Sequence, residues 1–152
     1  MSHRIYFILL CLAFAGTSWA EQPSLCTAEE DSIFWCETKA KRFELCASKN
    51  LSASEGYMQY RAGTGGSPAF RFPEPLAHPR GNFVLLLYGW GTQLKFQNAE
   101  TTYKISESVK GYATRIVVER KGKADVEIPC GGSDTLTLTS TIRLFEMFGA
   151  RE

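Results

Sequence analysis

Short segments in which apolar and polar residues alternate recur along the chain, and turns rich in glycine, asparagine and charged residues separate them. A period of two is typical of β-strands that bury one face. The predicted strands are Ile33–Thr38, Arg42–Ala47, Gly56–Arg61, Asn82–Tyr88, Thr92–Asn98, Thr101–Ser106, two arms of a hairpin within Thr114–Cys130, and Asp134–Ile142, with Ala69–Phe72 as a further candidate. The pattern predicts one all-β domain with little helix, as a single antiparallel β-sandwich or partly open barrel of roughly eight or nine strands.

Two of these segments support a more specific prediction. Asn82–Tyr88 reads NFVLLLY, an unbroken apolar run that predicts a central strand covered on both faces. The hairpin within Thr114–Cys130 turns at Lys121–Gly122, and its second arm is expected to return Val126 and Ile128 to the core. After the last predicted strand, the chain continues either as strand or as one helical turn over Arg143–Phe148.

The longest irregular stretch is Ala62–Gly81, AGTGGSPAFRFPEPLAHPRG, which holds four of the six prolines. Each proline pushes the residue before it towards an extended conformation, so the stretch is predicted to be an ordered excursion over the surface. Loops of this length in compact domains are usually functional or disordered. Its polar residues Arg71, Glu74, His78 and Arg80 are candidate binding residues.

The first twenty residues have the features of a secretory signal peptide. Arg4 precedes an apolar run from Ile5 to Ala15, and Ser18 and Ala20 form a small-x-small cleavage pattern. A permanent membrane helix needs about 20 apolar residues, so the run is too short to be one. The sequence predicts a signal peptide at 1–20 and one mature β domain at 21–152, periplasmic or secreted, with no membrane insertion after signal removal.

Charge argues against nucleic acid as a partner. Removal of residues 1–20 takes away Arg4 and no acidic residue, so the 17 basic residues become equal in number to the 16 acidic ones. A neutral chain without a basic stripe lacks the phosphate-neutralising surface that nucleic-acid binding requires. The expected partner is therefore another protein.

Four of the five cysteines remain after signal removal, at Cys26, Cys36, Cys46 and Cys130. Zinc sites built from cysteines bring their ligands in close pairs, and redox sites use C-x-x-C. The gaps of nine, nine and 83 residues provide neither. We therefore expect two disulfides, with no metal and no cofactor.

Three pairings of four cysteines are possible, and strand alternation favours one of them. In a hairpin of Ile33–Thr38 and Arg42–Ala47, Cys46 lies on one face of its strand with Arg42, and Cys36 follows Phe34 on its own face. Cys26 precedes the first strand and so lies near the end where Cys46 sits. This geometry favours Cys26 with Cys46 and Cys36 with Cys130.

Catalytic patterns are weak. His78 is the only histidine left after signal removal, and no G-x-S-x-G or comparable nucleophile motif is present. Carboxylate pairs for glycosidase chemistry can be drawn in many ways, so they do not discriminate. The glycine-rich stretches at 63–66 and 130–134 lack the lysine and helix of a phosphate loop. We expect no catalytic residue, and a surface position for His78.

The strongest binding signal is YGWG at Tyr88–Gly91, where two aromatic residues alternate with glycines at a strand end. Tyr and Trp are favoured anchors in protein interfaces. The structural alternative is that the rings pack into the core or cover a neighbouring glycine of the sheet. Tyr88 and Trp90, together with the proline-rich stretch, form the candidate binding site.

In the opening hairpin and the later strand GYMQYR, the chain resembles a group of small exported bacterial β-rich proteins with a cysteine-flanked hairpin. The resemblance covers Cys26 to about Glu74 and implies export and a β fold, with no settled activity. Small periplasmic lysozyme inhibitors are similar in class. Their S-G-x-x-Y loop is not matched by Ser54–Tyr57, so no inhibitory residue is carried over.

The leading hypothesis is an exported non-enzymatic binding protein of the bacterial cell envelope, as an inhibitor or immunity factor acting by protein-protein contact. One alternative is a cell-envelope hydrolase that uses carboxylates or His78. The other is a structural or adhesion subunit, which predicts self-association.

Overall fold

The computed structural model describes residues 22–108 and 114–131, and these form an all-β domain without a helix. Nine strands form two antiparallel sheets, with the order β1-β2-β3-β4 in one and β5-β6-β7-β8-β9 in the other. The strands are β1 (Glu30–Glu37), β2 (Arg42–Ser48), β3 (Met58–Thr64), β4 (Ser67–Phe72), β5 (Phe83–Tyr88), β6 (Gly91–Asn98), β7 (Thr101–Ser108), β8 (Arg115–Arg120) and β9 (Val126–Pro129). The predicted all-β, sandwich-like architecture is confirmed.

The two sheets enclose one apolar core, to which each contributes alternate residues of its strands. Phe96 of β6 lies at the centre, with its ring centroid 4.9 Å from that of Tyr60 and 4.8 Å from that of Phe72. Tyr103 of β7 stacks on the same ring at 4.7 Å. Burial and ring contacts of this kind join the sheets and fix their relative position.

The four-stranded sheet is covered on both faces near its middle. Every residue of β2 is buried, including Arg42 and Glu44 on the face opposite the core. That outer face is covered by the segment before β1, in which Leu25 is only 3% exposed. The described part of the chain therefore has a second, polar layer outside the sandwich.

The structure contains the disulfides Cys26–Cys46 and Cys36–Cys130, the pairing favoured by strand alternation. Cys36–Cys130 joins β1 to the end of β9 and so links the two sheets. Cys26–Cys46 attaches the N-terminal segment to the outer face of β2. Both bonds are consistent with an oxidising compartment.

Two details of the predicted strands are wrong. Within the described residues β5 lies at the end of its sheet, where Val84 and Leu86 are only half-buried. An apolar run does not reveal how many strands flank it, so the prediction of a central strand failed. Val126 is 51% exposed rather than inward, because it begins the terminal strand of the described sheet.

The proline-rich stretch is only partly irregular. Its first half forms the hairpin of β3 and β4, which turns at Gly65 and Gly66, both with positive φ. The irregular part is 73–82, with cis peptide bonds at Phe72–Pro73 and Glu74–Pro75. The predicted signal peptide at 1–20, the strand Asp134–Ile142 and the segment Arg143–Phe148 lie outside the described residues. Within the described residues, no helix has the length and apolar character needed to cross a membrane.

Candidate functional site

The tetrapeptide Tyr88–Gly91, here called the aromatic tip, forms the turn between β5 and β6. The rings of Tyr88 and Trp90 stack on each other, with centroids 4.9 Å apart and planes 7° apart. Tyr88 is 43% exposed and Trp90 is 40% exposed. Neither ring belongs to the core, so packing into the core does not describe them.

The backbone of the aromatic tip is fixed against β7. Gly91 pairs with Ser108, and a Cβ on Gly91 would lie 1.9 Å from the carbonyl oxygen of Glu107. Only glycine permits this approach. The Ser108 hydroxyl also donates a hydrogen bond to the carbonyl oxygen of Trp90 at 3.2 Å. The two rings are therefore presented on a positioned turn, which lowers the entropy cost of binding through them.

The proline-rich loop 73–82 is held by His78. The Arg80 backbone N–H donates to His78 Nδ1 at 3.1 Å, so Nε2 carries the proton and donates to the carbonyl oxygen of Ser52 at 3.0 Å. The Asn82 side-chain amide donates to the carbonyl oxygen of His78 at 2.8 Å. The Nε2 bond therefore fastens the loop to the β2–β3 connection, while the Nδ1 bond fixes the loop internally, an arrangement that suits positioning rather than proton transfer.

The structure separates the candidate binding residues into three places. Tyr88 and Trp90 lie at one end of β5, and the loop with Glu74, His78 and Arg80 enters at the other. The six residues of β5 span roughly 17 Å at strand rise. Arg71 is exposed on β4, where it pairs with Arg61. One small ligand cannot contact all of these residues, so the aromatic tip and the loop are separate candidate surfaces.

Sequence reasoning missed a buried polar network on the outer face of β1, β2 and β3. The network comprises Glu30, Glu37, Arg42, Glu44, Gln59 and Arg61, and residues 22–27 lie over it.

Glu44 is the centre of one half and has 0% exposure. Its carboxylate accepts hydrogen bonds from the Ser24 and Ser32 hydroxyls, the Leu25 N–H and the Arg42 guanidinium. Burial works to raise the pKa of Glu44, but the bonds from Arg42, Ser32 and Leu25 outweigh it and hold the pKa below its usual range. Glu44 is therefore buried as a carboxylate with its oxygens occupied.

Glu30 and Arg61 form the other half as a bidentate ion pair. The two terminal guanidinium nitrogens of Arg61 each donate to one oxygen of Glu30 at 2.6 Å, and Nη1 also donates to the carbonyl oxygen of Leu25 at 2.8 Å. The Tyr57 hydroxyl and the Thr27 N–H donate to the same carboxylate. Glu44 and Arg61 together bind both backbone polar groups of Leu25, which attaches the N-terminal segment to the sheet.

A metal has no open site in this network. Among the described residues, the ligand atoms of Cys26, Cys46 and Glu44 lie within 4.8 Å of one another. The two sulfurs are bonded to each other and the Glu44 oxygens accept hydrogen bonds. Metal ligation requires thiolates and free carboxylate oxygens. In the oxidised protein these residues therefore serve to crosslink and anchor the N-terminal segment.

The Glu30 ion pair predicts a specific pH dependence of stability. Burial works to raise the pKa of Glu30, but the bonds from Arg61, Thr27 and Tyr57 lower it from 4.5 to about 2. A lowered folded pKa contributes stability above the unfolded value and loses it as the pH falls towards the folded value. We expect the free energy of unfolding to fall by about 3 kcal/mol between pH 5.5 and pH 2 through this group alone.

The measurement is urea unfolding at several pH values for wild type and Glu30→Gln. The variant is expected to be less stable at pH 7 and to show a shallower loss of stability on acidification. Glu29→Gln removes the exposed neighbouring carboxyl and should follow the wild-type curve. Parallel curves for wild type and Glu30→Gln would contradict the assignment.

No protein-family model, curated protein or solved structure matches this chain. The functional proposal below therefore rests on the chemistry and geometry of the described residues.

Proposed function

We propose that the protein is an exported, non-enzymatic binding domain of the bacterial cell envelope that acts as an inhibitor or immunity factor by protein-protein contact through the aromatic tip. The observation that carries the proposal is the stacked, exposed Tyr88–Trp90 pair on a turn fixed to β7. A few residues supply most of the binding energy at protein interfaces, and Trp and Tyr are enriched among them.

Two further features support a binding role. The scaffold is held by two disulfides and a buried polar network, which suits a surface that must keep its shape on contact. Three of the groups that a hydrolase could use are engaged elsewhere: His78 bonds through both ring nitrogens, and the buried carboxylates of Glu30 and Glu44 accept hydrogen bonds within the fold.

Photo-crosslinking tests which surface meets a partner. A photoreactive benzoylphenylalanine is placed at Trp90, at Leu76 in the proline-rich loop, or at Val126, which are 40%, 48% and 51% exposed. Irradiation of native cells is expected to give a discrete crosslinked protein from position 90 and none from position 126. Crosslinking from position 76 alone would move the binding surface to the loop and contradict the proposal.

Truncation of the aromatic tip is expected to weaken binding without unfolding the domain. Trp90→Ala should lower the affinity for the crosslinked partner by at least about tenfold, because an anchoring Trp contributes about 2 kcal/mol or more. Its partial exposure limits the change in the free energy of unfolding to about 1 kcal/mol. Calorimetric titration measures the first and urea unfolding the second. Val126→Ala is the matched control, and equal affinities for both variants would refute the role of the tip.

A further inference from the structure

Gly89 stands between the two exposed rings, and no described residue other than its chain neighbours Tyr88 and Trp90 restricts the space for a side chain there. Its φ lies outside the left-handed region, and a Cβ built on it meets no atom within 4 Å among the described residues beyond its chain neighbours. Two-residue hairpin turns usually take glycine because a central residue needs a positive φ. That reason is absent at Gly89.

The neighbouring glycine shows the contrast. Gly91 is required because a Cβ there would collide with the Glu107 carbonyl oxygen. Among the described glycines, only Gly89 and Gly131 have neither a positive φ nor a contact closer than 3.4 Å. Gly131 follows the Cys36–Cys130 disulfide, far along the chain from the aromatic tip. Among the described glycines, Gly89 alone combines the absence of a positive φ and of a close contact beyond its chain neighbours with a position in the candidate binding surface.

We propose that the aromatic tip is a wedge that enters a narrow apolar cleft of the partner protein, and that the wall of this cleft packs directly on the backbone of Gly89. This inference rests on the proposed function and specifies the partner's chemistry. A side chain at position 89 would hold the cleft wall away from the turn. Glycine is the residue that allows such a close backbone approach.

The composition of the tip defines the cleft. Tyr88, Gly89, Trp90 and Gly91 carry no charge, and the two rings offer an apolar surface with one hydroxyl and one indole N–H. A complementary site is concave and lined by aliphatic or aromatic side chains, with a few polar groups to meet these donors. Binding through such a contact should depend little on ionic strength, because screening acts on charge pairs.

The test uses the full mature protein and the partner captured by the crosslinker at position 90. Gly89→Ala and Gly89→Asn add side chains of increasing size that a turn tolerates, and Gly131→Ala adds the same methyl group away from the tip. We expect Gly89→Ala to weaken binding about threefold to tenfold and Gly89→Asn to weaken it further. Gly131→Ala should bind as wild type, and every variant should keep the wild-type Tm or exceed it. Wild-type affinity should change less than threefold between 50 and 500 mM salt, a range over which surface charge pairs become strongly screened.

The outcomes separate this inference from the function on which it rests. If Trp90→Ala loses binding while both Gly89 variants bind as wild type, the wedge is wrong and the aromatic tip stands as the binding surface. If Trp90→Ala also binds as wild type, or position 90 captures no protein, the proposed function fails and the wedge with it. A lowered Tm in the Gly89 variants would overturn the inference, because the fold itself would then require the glycine. A steep loss of affinity with salt would overturn the apolar cleft.

Discussion

Replacing Glu44 by glutamine is expected to lower the free energy of unfolding by about 3 to 5 kcal/mol. The substitution keeps the shape of the side chain but replaces one acceptor oxygen by an NH₂ donor. In either orientation of the amide, that donor would face a nitrogen of the Arg42 guanidinium, which is a donor too. Because Glu44 is fully buried, water cannot restore the lost acceptors, and an unsatisfied buried donor costs its full desolvation penalty.

The matched control is Glu127→Gln. Glu127 also forms an ion pair with an arginine on the neighbouring strand, Arg115, at 3.2 Å, but both side chains are more than half exposed. Exposed pairs of this kind contribute about 0 to 1 kcal/mol, so the control should change stability by less than about 1 kcal/mol. Urea unfolding at pH 7 measures both variants. Similar losses for the two would show that the buried network contributes no more than a surface ion pair.

The consequence should be local as well as global. Glu44 holds the N-terminal segment through Ser24 and Leu25, while Cys26–Cys46 keeps that segment attached. Hydrogen exchange of the Leu25 amide should therefore accelerate in Glu44→Gln more than exchange in β6, which packs in the core far from the network. Uniform acceleration at both places would indicate that the variant opens only by global unfolding.

The strands were predictable because they alternate. The Thr92–Asn98 and Thr101–Ser106 predictions agree with β6 and β7 closely, and in β6 Leu94 and Phe96 are buried while Lys95 and Gln97 are exposed. The disulfide pairing could be predicted for the same reason, because alternation places Cys36 inward and Cys46 outward. Whether a strand is central or at the edge of its sheet could not be predicted, because the apolar run of β5 is the same whether one strand or two flank it.

The polar network was beyond sequence reasoning for two physical reasons. Arg42 and Glu44 alternate outward from β2 as any solvated strand face would, and nothing local shows that residues 22–27 fold over them. A bulge in β1 between Ser32 and Phe34 also breaks the alternation. Strict alternation would turn Ser32 inward with Phe34, whereas the bulge turns its hydroxyl outward to donate to Glu44 at 2.6 Å.

Half of the candidate site could be predicted from the sequence. Tyr88 and Trp90 were identifiable as exposed anchors from their position after a strand and between glycines. Their separation from the proline-rich loop was also contained in the sequence, because a whole predicted strand lies between Asn82 and Tyr88 and has a fixed rise per residue. The prediction of one binding site made of the aromatic tip and the proline-rich loop did not take the length of this strand into account.

Removing Cys36–Cys130 as the double variant Cys36→Ala/Cys130→Ala is expected to lower the free energy of unfolding by about 4 to 5 kcal/mol. The bond closes a long loop, with its cysteines 94 positions apart. Without it the unfolded chain gains conformational freedom that grows with the logarithm of loop length. The bond also joins the two sheets where Cys36 is fully buried, so the variant loses a direct link between the layers.

The other disulfide provides the comparison. Cys26 and Cys46 are 20 positions apart, and the same relation gives about 3 kcal/mol for Cys26→Ala/Cys46→Ala, about 1 kcal/mol less than for the longer loop. Urea unfolding under non-oxidising conditions measures both double variants against wild type. A larger loss for the Cys26–Cys46 pair would contradict the loop-length explanation. Its bond would then act mainly in the folded state, by keeping residues 22–27 over Glu44 and Arg61 where their charges are paired and water is excluded.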